Sequence, residues 1–177
     1  VSRGPRGMGQ CDDVSGGVRT VHRRTIAPAR FAGFNLGNFE SVATTQDGYH
    51  IECFANRQLA ARMRTPLATG EKAPSVDLEA DLLPRLRAMS ADVAGIVATY
   101  TQQWGPLPIH NLAVSPIPAT FGQGFPGLVY LSTFSYLENR ERPAVIREPM
   151  LDTFFSDILL PHEVAHQWWG NLVTASD

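Results

Sequence analysis

Two histidines four residues apart, His162 and His166, with Glu163 beside the first, constrain this chain more than any other feature. On a helix, side chains four apart share one face and lie about 5–6 Å from each other at Cβ. Two imidazoles so placed can reach one zinc ion, with Zn–N near ~2.0–2.1 Å. Glu163 falls one step round the helix, beside such an ion rather than on it. There its carboxylate can take a proton from water acidified by the metal. The bland alternative is a surface helix with two hydrogen-bonded histidines.

The flanks agree with a helix. Pro161 suits a first helical turn, where its missing N–H is not needed, and Gly170-Asn171 is a natural helix end. The pattern therefore predicts a helix from Pro161 to about Trp169. Trp168 and Trp169 read as core anchors. Catalytic zinc takes three protein ligands and leaves one position for water. After His166 the only acidic residue is Asp177, at the last position. The metzincin pattern needs Gly three and His six residues after the second His. Trp169 and Leu172 stand there, which excludes that class.

The rest of the chain is read for its setting. It has 177 residues, 44% hydrophobic and 18% charged, the composition of a globular soluble chain. The formal net charge of -2, with no long basic run, argues against nucleic acid or an anionic membrane as the main partner. No apolar run approaches the ~18 residues of a spanning helix, so no membrane segment is expected. Cys11 and Cys53 form no CxxC pair and read as two unrelated thiols, which implies neither a disulfide framework nor a thiolate zinc site. The abrupt start and finish read as cuts from a longer parent protein.

Residues 1–17 are rich in Gly and polar residues, and poor order is expected there. From Val18 the pattern is β-rich. Val18–Arg23 alternates, Arg30–Glu40 reads as a strand with a glycine break, and Gln46-Asp47-Gly48 is a turn leading into a strand over Tyr49–Phe54. Residues 65–75 hold two prolines and a glycine and read as a linker. The period then switches. Leu78, Leu82, Leu86, Met89, Val93, Ile96, Val97 and Tyr100 mark one face of a helix from Val76 to about Gln103. Ser75 or Asp77 could cap it, and Gly105-Pro106 stops it. Strands are expected over Ile109–Val114 and Leu128–Leu131, a loop or insertion over Glu138–Pro149, and a helix over Leu151–Leu160. His22, His50 and His110 are isolated and read as packed or surface histidines.

At His162–Asn171 the sequence HEVAHQWWGN resembles the zinc signature of the M1 family of metallopeptidases, the aminopeptidase N and leukotriene A4 hydrolase-like gluzincins. Its usual form, HExxHQWxGN followed by VT, continues through Val173-Thr174. Residues 28–40, PARFAGFNLGNFE, resemble the end of that family's N-terminal β domain. Ala98–Pro108, ATYTQQWGPLP, resembles the turn leading into its catalytic sheet. The likeness covers about residues 20–177, and only the zinc signature is highly specific.

The resemblance implies an α+β fold: the tail of an all-β N-terminal domain over residues 18–56, then the first half of a thermolysin-like zincin domain over residues 57–177. It implies one Zn2+ held by His162 and His166, with Glu163 as general base. The family's third ligand is a Glu nineteen residues after the second His, at position 185, beyond residue 177. The isolated chain is accordingly expected to bind zinc weakly and to be inactive. The substrate is expected to be a peptide or protein.

One departure bears on specificity. The family carries a GxMEN motif whose Glu binds the substrate's α-amine. The matching stretch here places Gln123, Gly124 and Phe125 at the substrate, with Gly124 at the Glu position and no carboxylate. On the residues alone, Gly122–Gly127 is a glycine-rich turn into a strand. Three readings stay open: an aminopeptidase-related hydrolase, an endopeptidase or peptidase for blocked N-termini, and a non-catalytic relative kept for binding or assembly.

Overall fold

A computed structural model describes residues 19–22, 33–56 and 78–173. The expectations for residues 1–17, the 65–75 linker, the caps Ser75 and Asp77, Cys11 and Thr174 lie outside them. The described residues form an α+β fold in which helices cover one face of a mixed five-stranded sheet.

Strand β1 (Arg19–His22) pairs antiparallel with β2 (Phe34–Gly37) in a small separate sheet. The main sheet begins with β3 (Phe39–Gln46) and β4 (Tyr49–Asn56), an antiparallel hairpin. It turns at Asp47-Gly48, where both residues take positive φ, the conformation that Gly and Asp tolerate best. β5 (Asn111–Ile117), β6 (Gln123–Phe125) and β7 (Leu128–Ser132) complete the sheet in the order β3-β4-β5-β7-β6. Side chains alternate across it. Ile51, Cys53, Val114, Val129 and Leu131 enter the main core, whereas Phe54, Ala113 and Leu128 join a smaller cluster on the other face.

The hairpin corrects the expected domain boundary at residue 56. β4 pairs in parallel with β5, from His50↔Asn111 to Cys53↔Val114, so residues 39–56 supply two of the five strands rather than the tail of a separate domain. A local pattern shows that a strand exists but not its parallel partner, which arrives only after a long crossover. Cys53 is a free, fully buried thiol, and burial pushes its pKa up to about 12, which leaves it protonated and inert.

Helix α1 (Leu78–Trp104) lies across β3 and β4. Leu82, Leu86, Met89, Val93 and Val97 form its buried stripe, as the periodicity predicts. It ends at Gly105, whose φ of 89° allows its N–H to reach the Thr101 carbonyl at 2.9 Å. Asn35 ties β2 to the end of β5 by hydrogen bonds to Ser115 Oγ (2.8 Å) and the Pro116 carbonyl (2.7 Å).

The expected loop or insertion over Glu138–Pro149 holds two short 3-10 turns, Asn139–Glu141 and Ala144–Ile146, and a third, Thr133–Tyr136, precedes it. Two arginines fasten it. Arg142, 2% exposed, donates to the Phe134 carbonyl, the Asp152 carboxylate and Ser156 Oγ. Arg85 on α1 makes a two-pronged pair with the Glu141 carboxylate.

The C-terminal helix departs from expectation. It does not begin at Pro161. One continuous helical run comprises α2 (Pro149–Thr153), a π turn (Phe154–Ile158) and α3 (Leu159–Ala165). A proline inside an α-helix leaves the carbonyl four residues back without a donor and crowds it. Here that carbonyl belongs to Asp157, within the π turn, where Leu159 N–H bonds the Phe154 carbonyl five residues back. The wider turn lets the helix pass Pro161 without breaking.

The Arg85–Glu141 pair sets an acid-sensitive element of stability. Hydrogen bonding from Arg85 holds the Glu141 carboxyl below its ordinary value of 4.5. A carboxylate lowered in the folded state stabilises above its unfolded pKa, and that contribution disappears as pH falls through the folded value. Urea midpoints measured from pH 7 to pH 3 should therefore drop below about pH 4.5 less steeply in Glu141→Gln than in the unmutated chain. Parallel curves would show that the pair contributes nothing.

Candidate active site

Helix α3 puts His162, Glu163 and His166 on consecutive turns, with His166 as the C-cap in helical conformation. The two imidazole rings lie 4.8 Å apart between centroids, at 87° to each other. His162 is exposed and His166 half-buried, so both rings are open to a ligand arriving from solvent. His166 Nδ1 lies 3.0 Å from the Trp169 carbonyl. A carbonyl only accepts, so Nδ1 carries the proton and Nε2 presents its lone pair.

Glu163 is 4% exposed. Burial raises its pKa, while His166, His162 and a hydrogen bond from the Gly124 N–H pull it down in part. The buried carboxylate thus lies between the backbone at Gly122 and two flanking imidazoles.

Strand β6 forms the wall against this turn. Its register pairs Gly124 with Val129, on the helix-covered face of the sheet, and pairs Gln123 and Phe125 with Tyr130 and Leu128, on the other. Of the three residues assigned to substrate from sequence, Gly124 is therefore brought to the histidine turn. Gln123 and Phe125 are not. The Phe125 ring packs edge-on against Tyr130, with centroids 5.5 Å apart.

The remainder of HEVAHQWWGN locks the helix to its surroundings. Gln167, 2% exposed, donates from Nε2 to the Phe125 carbonyl and accepts at Oε1 from Gly127 N–H, both at 2.9 Å. One side chain thus satisfies both ends of the β6–β7 turn. Asn171 Nδ2 donates to the Gly124 carbonyl at 3.3 Å. Trp168 is buried as expected, and its indole N–H donates to the Gly105 carbonyl at 2.9 Å. It also meets Tyr100 and Trp104 edge-on, each at 5.8 Å, which joins the end of α1 to the end of α3. Trp169 is not a core anchor: its side chain is 48% exposed, and its backbone carbonyl is the group that orients His166.

Sequence reasoning missed what the glycines at 122 and 124 do. Two glycines spaced by one residue on a strand are a signal of close backbone approach, but the partner surface is not written locally. The donor chemistry suits zinc: two imidazoles on one face, one with its Nδ1 turned to a backbone carbonyl, and a carboxylate alongside. Among the described residues there is no cluster of three or more His, Cys, Asp or Glu side chains able to hold a metal. No protein-family model and no curated protein matches the chain.

The Gln167 clamp is open to test. Gln167→Leu keeps the volume but leaves the Phe125 carbonyl and the Gly127 N–H without their partners. It should destabilise the fold by about 1–3 kcal/mol in urea unfolding, the usual cost of stranding a buried polar group. A change below about 0.5 kcal/mol, the range of ordinary surface substitutions, would show that the clamp is dispensable.

Proposed function

We propose that this chain carries part of the active site of a zinc-dependent peptidase that hydrolyses peptide bonds in peptides or proteins. The observation that carries the reading is the buried Glu163 carboxylate, packed against the bare backbone at Gly122 beside two imidazoles less than 5 Å apart. His162 and His166 would hold the ion, with a third donor from outside the described residues. The chemistry zinc supplies when bound is Lewis acidity toward a carbonyl and toward water.

The protein's own groups do the rest. A Glu163 oxygen accepts a proton from the water that attacks the scissile carbonyl carbon. As the C–N bond breaks, the same oxygen returns that proton to the leaving nitrogen. Burial favours this exchange, because a carboxylate with raised proton affinity is a better base. The Trp169 carbonyl keeps His166 in the tautomer that presents Nε2.

A second reading concerns the end of the substrate. Gly124 stands where the M1 pattern puts an amine-binding carboxylate, and no side chain fits there: a Cβ would lie 2.5 Å from His166 Cβ. This favours cleavage that does not depend on a free α-amine.

Two measurements on the full-length protein that carries this chain test these readings. Glu163→Gln should lower kcat by roughly 10²–10⁴, the usual contribution of a general base, with zinc content unchanged. A variant as active as the parent would remove Glu163 from the mechanism. If the unmutated protein binds zinc and cleaves nothing, a binding or assembly role replaces hydrolysis. N-acetylated peptides should be cleaved at least as fast as their free counterparts. A strong preference for free peptides would overturn the second reading and leave the first intact.

A further inference from the structure

We propose that Gly122 and Gly124 are positioning residues of this site: the bare backbone entering β6 seats the base through Gly122, and β6 itself seats the ligand turn through Gly124. The argument is steric and conformational strain plays no part in it, because neither glycine is among the described residues with positive φ. A Cβ on Gly122 would lie 2.5 Å from Glu163 Cγ and 2.7 Å from both Cδ and Oε1. Distances under 3 Å force something to move, and here all three atoms belong to the carboxylate arm itself. A Cβ on Gly124 would lie 2.5 Å from His166 Cβ and 2.7 Å from the Glu163 carbonyl oxygen. Those atoms belong to the helical turn rather than to the end of a side chain.

The two glycines therefore act on different parts of the site. Gly122 leaves room for the Glu163 carboxylate against the backbone. Gly124 lets the helix approach until Asn171 Nδ2 bonds its carbonyl at 3.3 Å. A methyl group on Gly122 displaces the base and spares the imidazoles. A methyl group on Gly124 pushes away the turn that carries them. The Gly122 role in turnover rests on the peptidase reading. The two seats themselves do not.

The test compares Gly122→Ala and Gly124→Ala in the full-length protein by zinc affinity, steady-state kinetics and crystal structure. Gly122→Ala should bind zinc within about threefold of the parent and lose roughly 100-fold in kcat with little change in KM, as a base misplaced by about 1 Å would. Its crystal structure should show the Glu163 carboxylate displaced by about that distance. Gly124→Ala should weaken zinc binding at least ~10-fold, the scale of losses when the support of a ligand is removed. If Gly124→Ala does not fold, Asn171→Ala, which unties the same contact without crowding it, should weaken zinc binding in the same direction.

The outcomes separate the proposal from the peptidase reading. An unmutated protein without hydrolytic activity sinks the peptidase reading. The carboxylate position and the zinc affinities then still decide the seats. Gly122→Ala with its carboxylate unmoved, or with more than half of the parent kcat, overturns the seat for the base. Zinc affinity unchanged in both Gly124→Ala and Asn171→Ala overturns the seat for the ligand turn.

Discussion

The candidate site depends on how closely an edge strand approaches a helix. β6 and the residue entering it come so near to the turn of His162, Glu163 and His166 that a single methyl group at Gly122 or Gly124 would collide with it. At that distance this stretch contributes backbone and almost nothing else: bare Cα positions against Glu163 and His166, and a carbonyl to Asn171. Backbone groups on a sheet strand are held by the neighbouring ladder, so they reorganise little when charge changes beside them. A side chain in the same place would lose rotamer freedom to do the same work.

Holding the helix at that distance takes contacts from three sides. Gln167 grips the β6–β7 turn from below. Trp168 joins the end of α1 through the Gly105 carbonyl and through Tyr100 and Trp104. The π turn at Phe154–Ile158 carries the helix past Pro161 unbroken, so the segment anchored by Arg142 and the segment bearing the histidines belong to one helical run. π turns recur near functional sites because they re-aim the residues that follow. Here those residues are His162 and Glu163, on the next turn of helix.

Much of this was legible in the residues. The stripe from Leu82 to Val97 identifies α1, and Gly105 marks its end, because helical periodicity and chain reversal are both local. Gln46-Asp47-Gly48 marks the β3–β4 turn for the same reason. The spacing of His162 and His166 places two imidazoles together as soon as the turn is helical. What could not be read there was relational. That β4 belongs beside β5, that one helix runs from Pro149 through Pro161, and that Trp169 faces outward while its carbonyl holds His166 each depend on residues far away or on a backbone state with no composition of its own.

The sequence by itself determined which groups could do chemistry: two imidazoles on one helical face with a carboxylate one step round, a fact of spacing that any helix would express. Only the tertiary structure decided that Glu163 is buried, and why positions 122 and 124 are glycine. Those depend on the separation between a strand and a helix, and that separation is set by packing across the sheet, which no single stretch of chain encodes.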